Sequence, residues 1–326
     1  MSDIHILKSS RGAFCVREAT MATGKKLTAM WLMAALFLPL FSLGLAIETS
    51  VAQEASFGVQ DGITYATAGG LELKLDIAYP TGGKGLYPAL IYICGNAWGW
   101  DSPVTRKEYH GDIQDAAKRG YVAVSVDFRT TNIKENGKSK FLFPAQLQDV
   151  KCAVRWLRAN ASRYQIDSNH IGAIGWSSGG HLALMIGLTD PSDGFEGECG
   201  DMHLSSQVQA VVNLSGPTEL VSLSKESPIA ALIMVDLLGG KPDELPLQYY
   251  AASPVNYVSK DDPPVLSIQG DVDATVVPRQ AEILDAKMKQ VGVSHTLMVK
   301  KGFGHQNLSS ENAIWEFFDK ILKYEH

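Results

Sequence analysis

The chain has 326 residues, of which 45% are hydrophobic and 20% are charged. This composition is typical of a globular protein with a buried core and excludes disordered and fibrous classes. The formal net charge of -6 argues against a nucleic-acid-binding protein, because such proteins need basic surface to neutralise phosphates.

Residues 1–52 are predicted to be a leader and signal peptide rather than part of the fold. Two lysines precede an apolar run over residues 27–47, and small residues follow at positions 50–52. This order is typical of a secretory signal. We expect cleavage, export to the periplasm or the medium, and a single catalytic domain over residues 53–326. The alternative is a retained membrane anchor, because the run over 27–47 is long enough to span a bilayer. Contact with a membrane is expected only in that case.

The cysteines beyond the leader are Cys94, Cys152 and Cys199. Their spacing matches no metal-binding motif, and a disulfide framework needs a denser and even-numbered set. The sequence therefore predicts small buried residues with at most one disulfide.

The first predicted elements are two strands within residues 62–80, arranged as a hairpin around Gly69-Gly70 at a sheet edge. Short apolar runs then predict further strands, most of them covered on both faces. These runs lie at residues 88–95, 121–129, 170–175, 208–216, 263–270 and 294–300.

Helices are predicted between and after these strands, at residues 107–119, 144–164, 278–292 and 312–325. Strands that alternate with amphipathic helices predict an α/β fold with a mainly parallel sheet and helices on both faces. Residues 218–256 contain several prolines and glycines. We expect this stretch to be a small irregular insertion over the carboxyl edge of the sheet.

The stretch "GWSSGG" lies between a predicted strand and an apolar helix, the context of a nucleophile elbow. The turn is so tight that glycine is favoured two places before and two places after the nucleophile. Gly175 and Gly179 meet this requirement for Ser177, whereas Ser178 has Trp176 two places before it. Ser177 is therefore the predicted nucleophile.

A serine hydroxyl needs an imidazole to take its proton, and the imidazole needs a carboxylate to orient it. In this strand-turn-helix context the chain order is Ser, Asp or Glu, then His. His305 lies in a glycine-bracketed loop after the strand at 294–300 and is the predicted base, whereas His181, His295 and His326 are interpreted as structural.

The carboxylate should follow the strand at 263–270. Asp273 is preferred because it reaches the loop, and Asp271, next to the strand end, is the alternative.

The oxyanion of an acyl-transfer intermediate is usually held by backbone N–H groups. One predicted donor is the N–H of Ser178, which follows the nucleophile. The second is predicted from Asn96 or Ala97, in the loop after the strand at 88–95. Trp98 and Trp176 flank the site and are candidate substrate-binding residues, with packing as the alternative.

From about Gly62 onward the chain resembles the α/β-hydrolase superfamily, especially esterases similar to hormone-sensitive lipase and the bacterial feruloyl or acetyl-xylan esterases. The resemblance rests on "IGWSSGGHLA", "FPAQLQDVKCAVRWLRANASRYQID", "IQGDVDATVVP" and "GFGH". It implies a triad of Ser177, Asp273 and His305 and no cofactor or metal. One departure is the loop Cys94-Gly95-Asn96-Ala97-Trp98, where the family usually has His-Gly-Gly-x-Trp.

The sequence thus predicts a carboxylic-ester hydrolase that forms an acyl-enzyme, acting on a small-molecule or polysaccharide-linked ester. The alternatives are a feruloyl or acetyl-xylan esterase, a peptidase of the same fold and a non-catalytic binding protein. No oligomeric state is predicted.

Overall fold

The computed structural model describes residues 56–83, 85–99 and 106–323. The predicted leader over residues 1–52 lies outside the described residues, and so do the signal peptide, its cleavage site and the alternative anchor. None of the described helices combines the length and the apolar character that a membrane crossing requires.

The described part of the chain alternates strands and helices, as predicted. The strands are β1 (Phe57–Ala68), β2 (Leu71–Pro80), β3 (Tyr87–Ile93), β4 (Val122–Val126), β5 (Lys134–Glu135), β6 (Lys138–Ser139), β7 (Ile166–Trp176), β8 (Ala210–Leu214), β9 (Val265–Gly270) and β10 (His295–Lys300). The helices are α1 (His110–Lys118), α2 (Ala145–Ala159), α3 (Ala161–Tyr164), α4 (Ser178–Leu188), α5 (Leu220–Glu226), α6 (Pro228–Leu238), α7 (Pro246–Ala251), α8 (Arg279–Val291) and α9 (Asn312–Leu322).

Eight of the described strands form one sheet in the order β1-β2-β4-β3-β7-β8-β9-β10. The β1–β2 and β2–β4 pairs are antiparallel, and the other pairs are parallel. The predicted hairpin at the sheet edge and the mainly parallel sheet are therefore confirmed. The carboxyl ends of β3, β7, β9 and β10 meet at one edge, where α/β folds place their functional loops.

Apolar side chains cover both faces of this sheet. Along β3, Ile91 and Ile93 belong to a core shared with α2 and α4, whereas Leu90 and Tyr92 belong to a core shared with α1 and α9. This alternation follows from the two-residue period of a strand and explains why β3 is apolar throughout.

The expected insertion over residues 218–256 is present between β8 and β9, but it is helical and not irregular, because α5, α6 and α7 lie there. The side chain of Ser227 accepts a hydrogen bond from the N–H of Ala230 and caps α6. Pro228 follows at the first helical position, where its missing N–H costs nothing. Gly239 ends the helix with φ 89°. The prolines and glycines thus mark helix ends.

A disulfide joins Cys152 of α2 to Cys199, so the prediction of at most one bridge is confirmed for the described cysteines. Two buried cations lie beside it: Lys151 Nζ is 2.7 Å and Arg155 Nη1 is 2.6 Å from the carboxylate of Glu196. The bridge and the ion pairs together fix the segment after α4 against α2.

Candidate active site

Ser177 occupies a strained turn between β7 and α4. Its φ of 53° and ψ of -121° are unusual for a residue with a side chain, and such strain is typical of a nucleophile elbow. A Cβ at Gly179 would lie 2.0 Å from the carbonyl oxygen of Ile93, and a Cβ at Gly175 would lie 2.3 Å from the backbone of Gly179. Both flanking positions therefore require glycine, as the sequence argument for Ser177 assumed.

Ser177, His305 and Asp273 form a continuous hydrogen-bonded chain. The Nε2 atom of His305 is 2.8 Å from Ser177 Oγ, and its Nδ1 atom is 2.8 Å from Asp273 Oδ2. Since an ionised carboxylate only accepts hydrogen bonds, Nδ1 donates to Asp273 and Nε2 accepts from the Ser177 hydroxyl. The imidazole is thus in the tautomer that a general base requires.

The protein supplies further donors to the carboxylate of Asp273, which is fully buried. Its Oδ1 atom accepts hydrogen bonds from the backbone N–H groups of Thr275 and Val276, both at 2.9 Å. Gln269 Nε2 donates to Oδ2 at 3.3 Å. These contacts hold the side chain in place and compensate its burial.

The other candidates from the sequence lie elsewhere. Asp271 is exposed and accepts a hydrogen bond from the N–H of Gly302. His295 contacts Asp285 and Ser267 at 2.9 Å each, and His181 is fully buried. His326 lies outside the described residues. Among the described candidates, Asp273 and His305 contact each other, and His305 also contacts Ser177 Oγ.

The predicted oxyanion loop contains Asn96, whose backbone N–H already has an acceptor within the protein. It donates to the buried hydroxyl of Ser178 at 3.1 Å. The next residue, Ala97, has a φ of 52°, and the role of Asn96 or Ala97 as second oxyanion donor stays a prediction. Ser178 begins α4, so its own N–H has no acceptor within the helix and lies at the positive end of the helix dipole.

The carboxyl group of Glu108 contacts both Cys94, at the start of this loop, and Asn307, in the loop that carries His305. The thiol of Cys94 donates to Glu108 Oε2, and Asn307 Nδ2 donates to Glu108 Oε1 at 3.3 Å. Burial raises the pKa of the Glu108 carboxyl. This carboxyl group therefore ties Cys94, at the start of the oxyanion loop, to a residue two places after His305.

The two candidate tryptophans lie on different sides of the site. Trp98 is only 3% exposed, and its indole ring packs edge-on against His181 with centroids 5.0 Å apart. Trp176 is half-buried, and its ring centroid lies 5.1 Å from that of His305. Trp98 is therefore mainly a core residue, and Trp176 flanks the base. Substrate binding by either stays a prediction.

The sequence reasoning missed an apolar wall that faces Ser177. A small cavity opens beside the nucleophile, and Leu223 of α5 and Ala230, Ile233 and Met234 of α6 line it. The missed signal is the Ser227-Pro228 pair, a cap followed by a first-turn proline, which starts the helix that carries three of these side chains.

A cluster of possible metal ligands lies away from the triad. Ligand atoms of Asp61, Asp76 and His110 lie within 4.8 Å of one another. Asp76 already faces Arg106 Nε and Lys107 Nζ, each at 3.0 Å. Two fixed cations compensate the buried carboxylate, and this charge balance does not favour a bound cation. The prediction that the reaction needs no metal or cofactor remains a prediction.

Comparison with known proteins gives a consistent family relationship. The BD-FAE family profile matches residues 75–288. Esterase LipC of Mycobacterium tuberculosis is 28% identical over 221 residues, which cover 67% of this chain and 52% of LipC. The probable carboxylic ester hydrolase LipM of the same species is 28% identical over 209 residues, or 64% of this chain and 46% of LipM. The chain spans about half the length of the curated relatives it matches.

Solved structures extend the likeness over most of the chain. A truncated carbohydrate esterase from gut microbiota has a TM-score of 0.69 at 28% identity, covering 82% of this chain and 96% of that one. Esterase 2 of Thermogutta terrifontis, phosphorylated by paraoxon, has a TM-score of 0.65 at 23% identity, covering 84% and 98%. These likenesses confirm the predicted α/β-hydrolase fold.

Proposed function

Because the chain belongs to the BD-FAE family, we propose that it is a serine carboxylesterase that acts through Ser177, His305 and Asp273. The observation that carries the proposal is the hydrogen-bonded chain from Ser177 Oγ through both ring nitrogens of His305 to Asp273. The strained elbow supports it, since such strain presents the hydroxyl to a substrate.

In the first half-reaction, Ser177 Oγ attacks the ester carbonyl carbon while His305 Nε2 accepts the hydroxyl proton. The backbone N–H groups of Ser178 and of either Asn96 or Ala97 stabilise the oxyanion that forms. The C–O bond to the alcohol then breaks, and His305 gives its proton to the departing oxygen. The acyl group remains on Ser177 as an ester.

In the second half-reaction, water gives a proton to His305 Nε2 and attacks the acyl carbon. The tetrahedral intermediate collapses, its bond to Ser177 Oγ breaks, and His305 returns the proton to that oxygen. The products are a carboxylic acid and the free enzyme. Asp273 stays ionised throughout and stabilises the imidazolium that forms in each step.

A polysaccharide-linked ester is the finer proposal for the substrate. A carbohydrate esterase is among the structural neighbours, and the half-buried Trp176 beside His305 offers an aromatic surface on the side where an alcohol leaves. Ester hydrolysis on a soluble sugar acetate and on acetylated polysaccharide, each compared between the unmodified protein and Trp176→Ala, tests this.

Export is proposed on the predicted signal at residues 1–52, and the disulfide between Cys152 and Cys199 supports it, because such bridges persist in oxidising compartments. The N-terminal residue of the protein recovered from its host, read by mass spectrometry, tests cleavage after Ala52. A mature chain that still begins at the leader contradicts it.

The catalytic proposal is tested by Ser177→Ala with 4-nitrophenyl acetate. We expect kcat to fall about 10⁵-fold, because the nucleophile is removed. Exposed Ser205→Ala is the matched control and should keep full activity. An organophosphonate should label the unmodified protein and Ser205→Ala but not Ser177→Ala. Failure to label folded protein would favour a non-catalytic binding protein, and cleavage of peptides without esters would favour a peptidase.

A further inference from the structure

The indole ring of Trp176 lies against the imidazole ring of His305. The two ring centroids are 5.1 Å apart and the ring planes are inclined by 35°, so the rings face each other in a tilted stack. Trp176 is the last residue of β7, and Ser177 follows it directly. The nucleophile and the ring that contacts its base are therefore neighbours in the chain.

The position of the indole ring is fixed by the sheet and by the oxyanion loop. Trp176 pairs with Leu214 of β8, and its side chain packs against the core shared with α1 and α9. A Cβ at Gly95 would lie 2.6 Å from Cε3 of the indole and 2.3 Å from the carbonyl oxygen of Trp176. The absence of a side chain at Gly95 therefore allows the oxyanion loop to pack directly on this ring.

Hydrogen bonding does not explain a tryptophan at this position. The Nε1 atom of Trp176 is buried and has no partner among the described residues. An unpaired buried donor is unfavourable, and an apolar side chain without an N–H would avoid this cost. The contact that distinguishes the indole from an aliphatic side chain here is the one that its aromatic face makes with His305.

The charge of His305 changes during the proposed reaction. When Ser177 or water attacks, Nε2 takes up a proton and the ring becomes an imidazolium. The face of a tryptophan ring attracts a cation within about 6 Å of its centroid, and more strongly where water is excluded. The side chain of His305 is 18% exposed. Because the attraction arises only with the positive charge, it is stronger in the transition state than in the ground state and lowers the barrier.

We propose that Trp176 is a positioning residue whose aromatic face orients His305 and stabilises the imidazolium that forms in both half-reactions. The inference rests on the proposed esterase function and goes beyond it, because this role does not depend on the alcohol part of the substrate. Asp273 is the carboxylate hydrogen-bonded to His305, and it is unchanged in every variant below.

The first test measures kcat and KM of Trp176→Leu, which removes the aromatic face and keeps an apolar side chain. Ethyl acetate is the substrate, because its alcohol part offers neither a sugar nor an aromatic ring that could stack on the indole. We expect kcat to fall about 3- to 30-fold, with KM within about twofold of the original.

The pH dependence of kcat/KM is a readout that a purely structural role would not change. Because the aromatic face stabilises the charged form of His305, its removal should allow the ring to lose its proton at lower pH. We expect the midpoint of the acid limb in Trp176→Leu to lie about 0.4–1.5 pH units below that of the unmodified protein. An unchanged midpoint overturns the inference.

Two further variants serve as controls. Trp176→Phe keeps an aromatic face, and we expect it to retain kcat within about threefold. Trp156→Leu is the matched control, because Trp156 is also half-buried but its ring contacts Tyr164, and it should keep the original kcat and midpoint. If circular dichroism shows that Trp176→Leu does not fold, Trp176→Met takes its place as the variant without an aromatic ring.

The outcomes separate this inference from the proposed function. If Ser177→Ala hydrolyses ethyl acetate as fast as the unmodified protein does, both fail. If Ser177→Ala is inactive but Trp176→Leu keeps the original kcat and midpoint, the esterase stands and the inference is overturned. A rise in KM alone would mean that Trp176 binds substrate, and equal losses in Trp176→Leu and Trp176→Phe would mean that the shape of the indole is the cause. Either result overturns the inference.

Discussion

The indole Nε1–H of Trp98 donates a hydrogen bond to Nδ1 of His181, 3.3 Å away. The other ring nitrogen, Nε2, lies 2.7 Å from the carbonyl oxygen of Ala252 and donates to it. Both contacts require a neutral ring with its proton on Nε2. Burial lowers the pKa of His181 to about 4. The uncharged imidazole of His181 thus connects the elbow helix α4 to Trp98 in the oxyanion loop.

This arrangement predicts a specific pH dependence of stability. Because the folded-state pKa of His181, about 4, lies below the unfolded value of 6.5, the unfolded state binds more protons between these values. The stability that depends on the neutral His181 ring is therefore fully present above pH 6.5 and is lost as the pH falls towards 4. Between pH 7 and pH 5, His181 accounts for a loss of about 2 kcal/mol in the free energy of unfolding. Urea unfolding of His181→Gln should show a correspondingly smaller loss.

The control for this measurement is His203→Gln, because His203 is exposed. Its free energy of unfolding should change with pH as that of the unmodified protein does. If His181→Gln keeps the full pH dependence, protonation of this ring is not the cause.

Asp273→Asn should lower kcat about 10³- to 10⁴-fold, because an amide favours the wrong imidazole tautomer and does not stabilise the imidazolium. Asp271→Asn is the matched control two residues away. It keeps an oxygen that accepts from the N–H of Gly302, and we expect activity within twofold of the original. Steady-state kinetics with one acetate ester measures both. Equal losses in the two variants would contradict the assignment of the carboxylate.

Ser178→Ala separates the two neighbouring serines. The substitution keeps the backbone N–H that is proposed to bind the oxyanion, but removes the hydroxyl that accepts from Asn96. A net hydrogen bond is worth about 1 kcal/mol, so we expect kcat to fall about three- to tenfold, with KM little changed. A loss as large as that of Ser177→Ala would mean that the hydroxyl of Ser178 takes part in the chemistry.

The disulfide should contribute measurably to stability. It closes a loop of 47 residues, and Cys199→Ser is expected to lower the free energy of unfolding by about 2–5 kcal/mol. A reducing agent should destabilise the unmodified protein by a similar amount and leave the variant unchanged. A further destabilisation of the variant by reductant would point to a different bridge.

The structural features that could be predicted from the sequence are those with a local sequence pattern. Glycines two places from Ser177 and apolar runs that end at Gly175 and Gly270 mark where strands stop and loops begin. Because parallel strands share one carboxyl edge, three residues at such ends come together whatever their separation along the chain. The distances of 2.8 Å on either side of His305 agree with that expectation.

Features that depend on distant side chains were not predictable. The contact between Cys94 and Glu108 joins residues 14 positions apart, and no local sequence pattern indicates this contact. The hydrogen bond from Asn96 to Ser178 spans 82 positions. The prolines of residues 218–256 were interpreted as signs of irregular structure. A proline in the first turn of a helix is distinguished from a proline that ends a helix by the capping residue before it, which here is Ser227.

The cavity walls and the reacting groups have separate origins in the chain. Ser177, Asp273 and His305 follow strands β7, β9 and β10, whereas Leu223 and Met234 belong to helices inserted between β8 and β9. We therefore expect mutations in α5 and α6 to change the cavity wall beside Ser177 without shifting the strand ends that carry the triad. In a duplicated gene, we therefore expect changes confined to this one insertion to reshape the cavity while the three triad residues are inherited unchanged.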